Sequence, residues 1–303
     1  MNLLQLLFDA LSLGSLYALG ALGIALIFGV MRLVNFAHGD VMTFSVFGLI
    51  APTTAAAAPL LIGAWSTPLL VTATLALGAG LAMLSEALIF RRLRRASPTA
   101  TMIASFALGF VIQNALLMLH SSRPKSINLW PALSQPVPIG SASVPGLQLL
   151  IIAVTLALLV GLVMLLRHSR VGLEMRAAAE DFAMARALGV RANRVILLAF
   201  GLSGALAALI GLFLTSQSGV LDLRMGGPMM LVAFVATVIG GLGSLAGAVL
   251  GGFLLGAVST ALQMVLPLDA RPFRDALVYL GVIALLLWRP QGLFVTSAVR
   301  QRI

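Results

Sequence analysis

The sequence predicts an all-α integral membrane protein, a polytopic bundle of about eight to ten transmembrane helices that includes broken or half helices. Three observations carry that prediction. Hydrophobic residues make up 60% of the 303 positions and charged residues only 9%, against about 25% charged in an ordinary soluble domain. The charge-free runs have the length that crosses a hydrocarbon core, about 20 residues. The chain also holds 30 glycines, and small residues let membrane helices approach backbone to backbone.

Taken in order, the first span covers 10–31, and the run 41–85 is long enough for two spans, divided near 52–68 where Pro, Thr and Ser cluster. A fourth span follows at 96–122, a Pro- and Ser-rich loop at 124–146, a fifth span at 147–166 and a sixth at 195–221. The run 225–268 supplies two more, interrupted at Gly240-Gly241-Leu242-Gly243-Ser244, and a last short span ends at Trp288-Arg289-Pro290. The start of the chain, 1–10, lacks a basic n-region and carries Asp9, so the first span is expected to stay in the membrane.

The formal charge of +10 does not point to nucleic acid, because no polar domain exists to carry a basic face. Arginines beside apolar runs instead follow the positive-inside rule. The cluster Arg91-Arg92-Leu93-Arg94-Arg95 and the stretch 167–194 then face the cytoplasm. Threading nine spans through these anchors puts the N-terminus outside and the C-terminus inside, with 14 of the 19 basic residues on the cytoplasmic side. Reading 41–85 as one span would move the N-terminus to the cytoplasm while leaving both arginine-rich loops inside.

No enzyme site is legible. His38, His120 and His168 lack ligand spacing with carboxylates, no Walker-type phosphate loop exists, and there is no cysteine. No cofactor or metal is expected. Asp40 and Glu86 lie near predicted span ends and the span interiors are otherwise free of acids, which counts against a proton-coupled carrier.

Three segments invite function. Between two apolar runs, Asn35, His38, Gly39 and Asp40 form a polar interruption with hardly any loop. It reads either as a tight cytoplasmic turn or as a helix break facing a polar cargo, and Asn35 could equally tie down the freed backbone of the break. The second interruption holds Gly240, Gly241 and Gly243, and the spacing of Gly243, Gly247 and Gly251 lines one helix face. Helix packing explains these glycines as readily as cargo contact. The third segment, 172–194, predicts about one turn of loop, then a short Ala-rich amphipathic helix. Glu180 and Asp181 suit its first turn, Ala185 and Arg186 lie within it, and Gly189 suits its C-terminal cap. It is either an interfacial helix on the membrane surface or a docking helix for a cytoplasmic partner.

The stretch from Leu13 to Leu19, followed by Gly29-Val30-Met31-Arg32-Leu33-Val34-Asn35-Phe36-Ala37-His38-Gly39, resembles the LivH-type permeases of branched-chain amino-acid ABC transporters. So do Arg176-Ala177 with Ala179-Glu180-Asp181, then Ala187-Leu188-Gly189-Val190, which look like that family's cytoplasmic coupling segment. Gly240-Gly241-Leu242-Gly243-Ser244 with Gly247-Ala248 and Gly251-Gly252, and the tail Arg289-Pro290-Gln291-Gly292-Leu293-Phe294, are similar to its late motifs. The matches run in order from residue 13 to 294, and only the Ala- and Pro-rich region 51–68 has no counterpart. The resemblance implies a non-catalytic permease subunit of the bacterial inner membrane that passes branched-chain amino acids inward. It implies a second permease subunit of the LivM type, two cytoplasmic ATP-binding subunits and an extracytoplasmic substrate-binding protein as partners. It also favours the docking reading of 172–194. Urea, short amides or other amino acids are alternative cargoes, and a stand-alone carrier or channel is the alternative from another class.

Overall fold

The computed structural model describes residues 3–53, 55, 59–61, 66–94, 96–140, 142–180, 182–290 and 292–293. The chain is largely helical, and every apolar run identified in the sequence forms a helix. Among the described residues, six of these are long and apolar enough to cross a membrane: Leu3–Met31, Thr67–Leu93, Pro98–His120, Gly146–His168, Asn193–Ser218 and Leu245–Val265. The other three are shorter. α2 (His38–Phe47) has 10 residues, while α10 (Gly226–Gly240) and α12 (Arg274–Trp288) have 15 each. At 1.5 Å per residue they reach about 15 and 22 Å, short of a core about 30 Å thick. The nine crossings expected from the sequence therefore resolve, among the described residues, into six helices of crossing length and these three shorter ones.

α1 (Leu3–Met31) precedes α2, and α3 (Thr67–Ser85) follows it after the irregular stretch around 48–66. Pro68 sits in the first turn of α3, where its missing N–H costs nothing. A π turn, Glu86–Phe90, then runs into the three-residue α4, Arg91–Leu93. α5 (Pro98–His120) begins with the same proline device, and Ser97 caps it by accepting from the Ala100 amide at 3.2 Å. The loop 124–146 contributes strands to two small sheets. β1 (Lys125–Ser126) pairs antiparallel with β4 (Val220–Leu221), and β2 (Pro136–Ile139) pairs with β3 (Ala142–Pro145). α6 (Gly146–His168), α7 (Arg170–Glu180), α8 (Phe182–Ala187) and α9 (Ala192–Ser218) follow. After α10, α11 spans Leu245–Val265, and α12 closes the described helices.

The chain sorts into two compact units. One comprises Met1–Ala25, Trp130–Leu159 and Leu231–Ile303, the other Leu26–Leu129 and Val160–Met230. Within the second unit α9 is the central helix, 78% buried over its apolar window, whereas α3 and α5 are 22% buried. α3 crosses α9 closely because Gly78 and Gly204 face each other, so that a Cβ on either would strike the other's carbonyl oxygen. The core beside this crossing gathers Ile27, Ala82, Phe90, Ile196 and Phe200.

In the first unit small residues again set the approach. A Cβ on Gly252 or Gly256 of α11 would strike the α1 backbone at Ala18 or Gly14, and one on Gly251 would strike the Ala236 carbonyl of α10. Thr237 of α10 adds a hydrogen bond to the Ala21 carbonyl of α1 at 3.1 Å. A lipid-like interior offers no hydrophobic driving force between helices, so such close packing and interhelical hydrogen bonds must supply the association.

Candidate functional site

α1 ends at Met31, and the chain passes through Arg32, at φ +52°, before α2 starts at His38. Arg32 is exposed, whereas the polar residues that follow it are buried: Asn35, His38 and Asp40 are 4%, 2% and 9% exposed. The Asn35 side-chain oxygen accepts from the Ala37 amide at 3.2 Å, and the Asn35 carbonyl accepts from the His38 amide at 3.2 Å. Asn35 thus satisfies backbone groups released where the helix is interrupted, the structural role open to it from sequence. The Phe36 amide donates to Ser105 of α5, and the Phe36 ring stacks on Phe106 with centroids 4.3 Å apart.

His38 Nδ1 lies 3.2 Å from the Ser203 hydroxyl of α9, while His38 Nε2 is buried without a hydrogen-bond partner among the described residues. Asp40 stands in the first turn of α2, where a negative group suits the helix dipole. It accepts from Gln113 Nε2 of α5 at 2.7 Å and fills the space that a Cβ on Gly109 would need. Gly39 faces Gly226 at the start of α10, and a Cβ on Gly39 would strike the Gly226 carbonyl oxygen. Gly39 therefore serves a close helix crossing. The partners Ser203, Gln113 and Gly226 were not singled out in the sequence. Gln113, a polar residue midway along an apolar run, carried the one available signal.

The glycine interruption is a turn between α10 and α11. Gly241 and Gly243 take φ of +99° and +91°, a region closed to most side chains, and Ser244 caps α11 by accepting from the Gly247 amide at 3.0 Å. Gly240 and Gly247 face each other so closely that a Cβ on either would strike the other's carbonyl oxygen. The expected single stripe of Gly243, Gly247 and Gly251 is therefore corrected: Gly243 precedes the helix and faces open space. Gly247 and Gly251 face α10, whereas Gly252 and Gly256 face α1. The tail returns to the same turn, with the Leu293 amide donating to the Ile239 carbonyl at 2.7 Å and Gly292 packed on the carbonyl of Val238.

The segment 172–194 departs from its expected form at its beginning. A turn of loop was expected, but α7 already starts at Arg170 because Ser169 caps it, its hydroxyl accepting from the Gly172 amide at 3.0 Å. Gly172 permits the reversal, since a Cβ there would strike the Leu166 backbone. Glu180 accordingly ends α7, exposed, rather than opening a helix, and Asp181 lies outside the described residues. Met175, Ala178 and Ala185 are buried, while Leu173, Met184 and Leu188 are exposed by 62%, 59% and 78%. Arg186 is exposed.

Gly189 closes α8 at φ +88°. The Gly189 amide donates to Arg186 and the Val190 amide to Ala185, at 3.1 and 3.0 Å. These two bonds are the paired closure of a Schellman motif. The cap expected from sequence is therefore present.

Beyond this segment, Glu86 is fully buried, paired with Arg91 at 2.9 Å and with Arg94. Arg94 also donates to Asn193 at the start of α9, at 2.6 Å. No group of three or more His, Cys, Asp or Glu that could hold a metal ion exists among the described residues.

Residues 6–287 match the family model described as branched-chain amino acid transport system, permease component. The chain is 34% identical to the high-affinity branched-chain amino acid transport system permease protein BraD of Pseudomonas aeruginosa, over 96% of this chain and 95% of that protein. It is 31% identical to the corresponding permease LivH of Escherichia coli, over 96% and 94%. The autoinducer 2 import system permease protein LsrC of Enterobacter is 32% identical over 90% of this chain and 78% of its own length. No solved structure matches the chain. With its six apolar helices of crossing length and a family match along nearly its whole extent, the chain belongs to the permease components of branched-chain amino acid transport systems, the non-catalytic multi-pass membrane subunits of bacterial ABC transporters.

Proposed function

We propose that this permease imports branched-chain amino acids, leucine, isoleucine and valine, into the cytoplasm by alternating access driven by ATP hydrolysis on partner subunits. The observation that carries this reading is the end-to-end similarity to BraD and LivH, 34% and 31% identical over 96% of the chain. The two units act together as one permease domain, 1–303. Its partners are a second permease subunit of the LivM type, two cytoplasmic ATP-binding subunits and an extracytoplasmic binding protein that delivers cargo. The arginine-bearing stretches 91–98 and 167–194 face the cytoplasm of the inner membrane and 121–146 faces outward, with the N-terminus outside and the C-terminus inside.

In this reading α7 and α8 form the docking element for an ATP-binding subunit. Their inner residues Met175, Ala178 and Ala185 are buried, and their outer residues Leu173 and Leu188 offer apolar surface beside the Arg186 charge. Glu180, Asp181 and Gly189 belong to the same element. Asn35, His38 and Gly39 at the break of the second unit, and Gly240, Gly241 and Gly243 at the turn of the first, are each candidates for contact with the cargo. The unpartnered His38 Nε2 supports the first assignment, because a buried donor or acceptor without a partner is costly unless something visits it.

The test is uptake in proteoliposomes holding the permease pair, its ATP-binding subunits and its binding protein. Radiolabelled leucine should accumulate only with internal ATP, and excess valine or isoleucine should compete while urea does not. Competition by urea or short amides with no effect of valine would transfer the chain to another cargo of the same family. Accumulation without the ATP-binding subunits would make it a stand-alone carrier.

A further inference from the structure

We infer that Asn193, held by the Glu86–Arg94 ion pair, is the positioning residue that locks the exit of the docking element to the α3–α9 body, so that one face of α9 carries its movement to the helix break at His38. The inference rests on the docking assignment of α7 and α8 and goes beyond it in naming the link. Asn193 lies four positions after the α8 cap at Gly189. There the Arg94 guanidinium donates to the Asn193 side-chain oxygen at 2.6 Å while its other nitrogen pairs with Glu86. Glu86 is 0% exposed and holds Arg91 as well, at 2.9 Å. A guanidinium that bridges two acceptors is a directional fork, fixed in plane, and a buried carboxylate keeps it from swinging away.

The rest of the route lies on one side of a single helix. At about 100° per residue, Asn193, Ile196, Phe200 and Ser203 fall within an arc of about 80° on α9. Each meets a different part of the same unit. Asn193 meets Arg94. Ile196 and Phe200 share the core cluster with Phe90, and the Phe200 and Phe90 rings lie 5.3 Å apart. Ser203 meets His38 at 3.2 Å. Glu86 and Phe90 are the first and last residues of the π turn, a rare local geometry that recurs at functional sites. That turn places a carboxylate toward the fork and a ring toward the core four residues later. Packed interiors shift as rigid pieces rather than deform. A displacement imposed at Asn193 therefore reaches Ser203 along about 15 Å of helix.

Asn193 is exposed, so replacing it need not disturb folding. In the reconstituted complex, Asn193→Ala should leave the ATP-binding subunits bound and hydrolysis running, while cargo moved per ATP hydrolysed falls about fivefold or more. Asn193→Asp keeps the acceptor opposite Arg94 and should restore the ratio, and an Asp variant as uncoupled as Asn193→Ala would overturn the fork as the holding contact. An unchanged ratio in Asn193→Ala overturns the link. Loss of the ATP-binding subunits from the Asn193→Ala complex also overturns it, since Asn193 would then belong to the docking surface. Failure of the docking reading shows separately: complexes that keep Asn193 would then retain their ATP-binding subunits when Leu173 and Leu188 are both replaced by Glu.

Discussion

Gly189 permits a quantitative test of the coupling segment because its backbone and its surroundings separate cleanly. Its φ is +88°, and a Cβ built there would have nothing within 4 Å. No neighbour has to move, so the cost of a side chain arises only from its own backbone. For an L-residue that cost is about 1–2 kcal/mol, highest for β-branched side chains and lowest for Asn, which tolerates the left-handed region. Two hydrogen bonds close on this conformation, from Gly189 to Arg186 and from Val190 to Ala185. A chain that abandons it unwinds the end of α8 and displaces Ala185, a buried residue of that helix. The population holding the native cap should therefore fall by about 5- to 30-fold relative to competing states in Gly189→Val.

The assay is binding of the ATP-binding subunit to the permease pair in nanodiscs, titrated for wild type, Gly189→Asn, Gly189→Ala and Gly189→Val. Affinity should fall in that order, with Asn within about threefold of wild type and Val weakest. Insertion and permease pairing should be unchanged, because the disturbance is confined to the end of α8. Equal affinity for Asn and Val would refute the reasoning, since only the φ requirement distinguishes them here.

Three further outcomes follow from the same structure. A cysteine at exposed Ser134 should react with an impermeant thiol reagent in intact cells, and one at exposed Ala187 should react only after permeabilisation; the native chain has no cysteine to interfere. Gly247→Leu should lower the thermal stability of the complex by about 1–3 kcal/mol and reduce transport of every cargo alike, because its side chain would strike the α10 backbone at Gly240. A selective change in the leucine-to-valine ratio would instead assign that position to the cargo path. Asn35→Ala should cost about 1–3 kcal/mol, read as lower assembly at elevated temperature, by leaving the buried Ala37 amide unpaired. Asn35→Asp, which keeps the acceptor, should lose less.

The helices were legible because charge-free length and proline position are local properties. Pro68 and Pro98 mark the starts of α3 and α5 directly, and Gly189 marks an end because a left-handed residue is a demand of one position alone. The start of α7 was not legible, because its cap depends on Ser169, which the sequence offers among several polar residues after α6. The glycines of α11 were legible as packing residues but not as two faces. A four-residue spacing shows that residues share a side, not which neighbour occupies it, and Gly251 and Gly252 differ by about 100° around the helix. Partners distant in sequence were hidden altogether. Nothing about Asn193, Gln113 or Ser203 taken singly reveals that each meets a side chain 73 to 165 positions away.

The buried polar groups of the second unit divide by whether their needs are met within the protein. Glu86 is surrounded by two guanidinium groups, Asp40 has the Gln113 amide, and Asn35 turns its oxygen to the Ala37 amide. In a low-dielectric interior such satisfied groups fix geometry, because any displacement breaks charge-assisted or buried bonds. His38 differs, being anchored through Nδ1 to Ser203 while Nε2 is buried without a partner among the described residues. A ring held at one nitrogen and open at the other keeps its orientation and still has a hydrogen bond to offer. Asn35, Asp40 and Ser203 thus act on the break chiefly by holding the start of α2, and His38 is the one member of the set whose chemistry is not consumed in doing so.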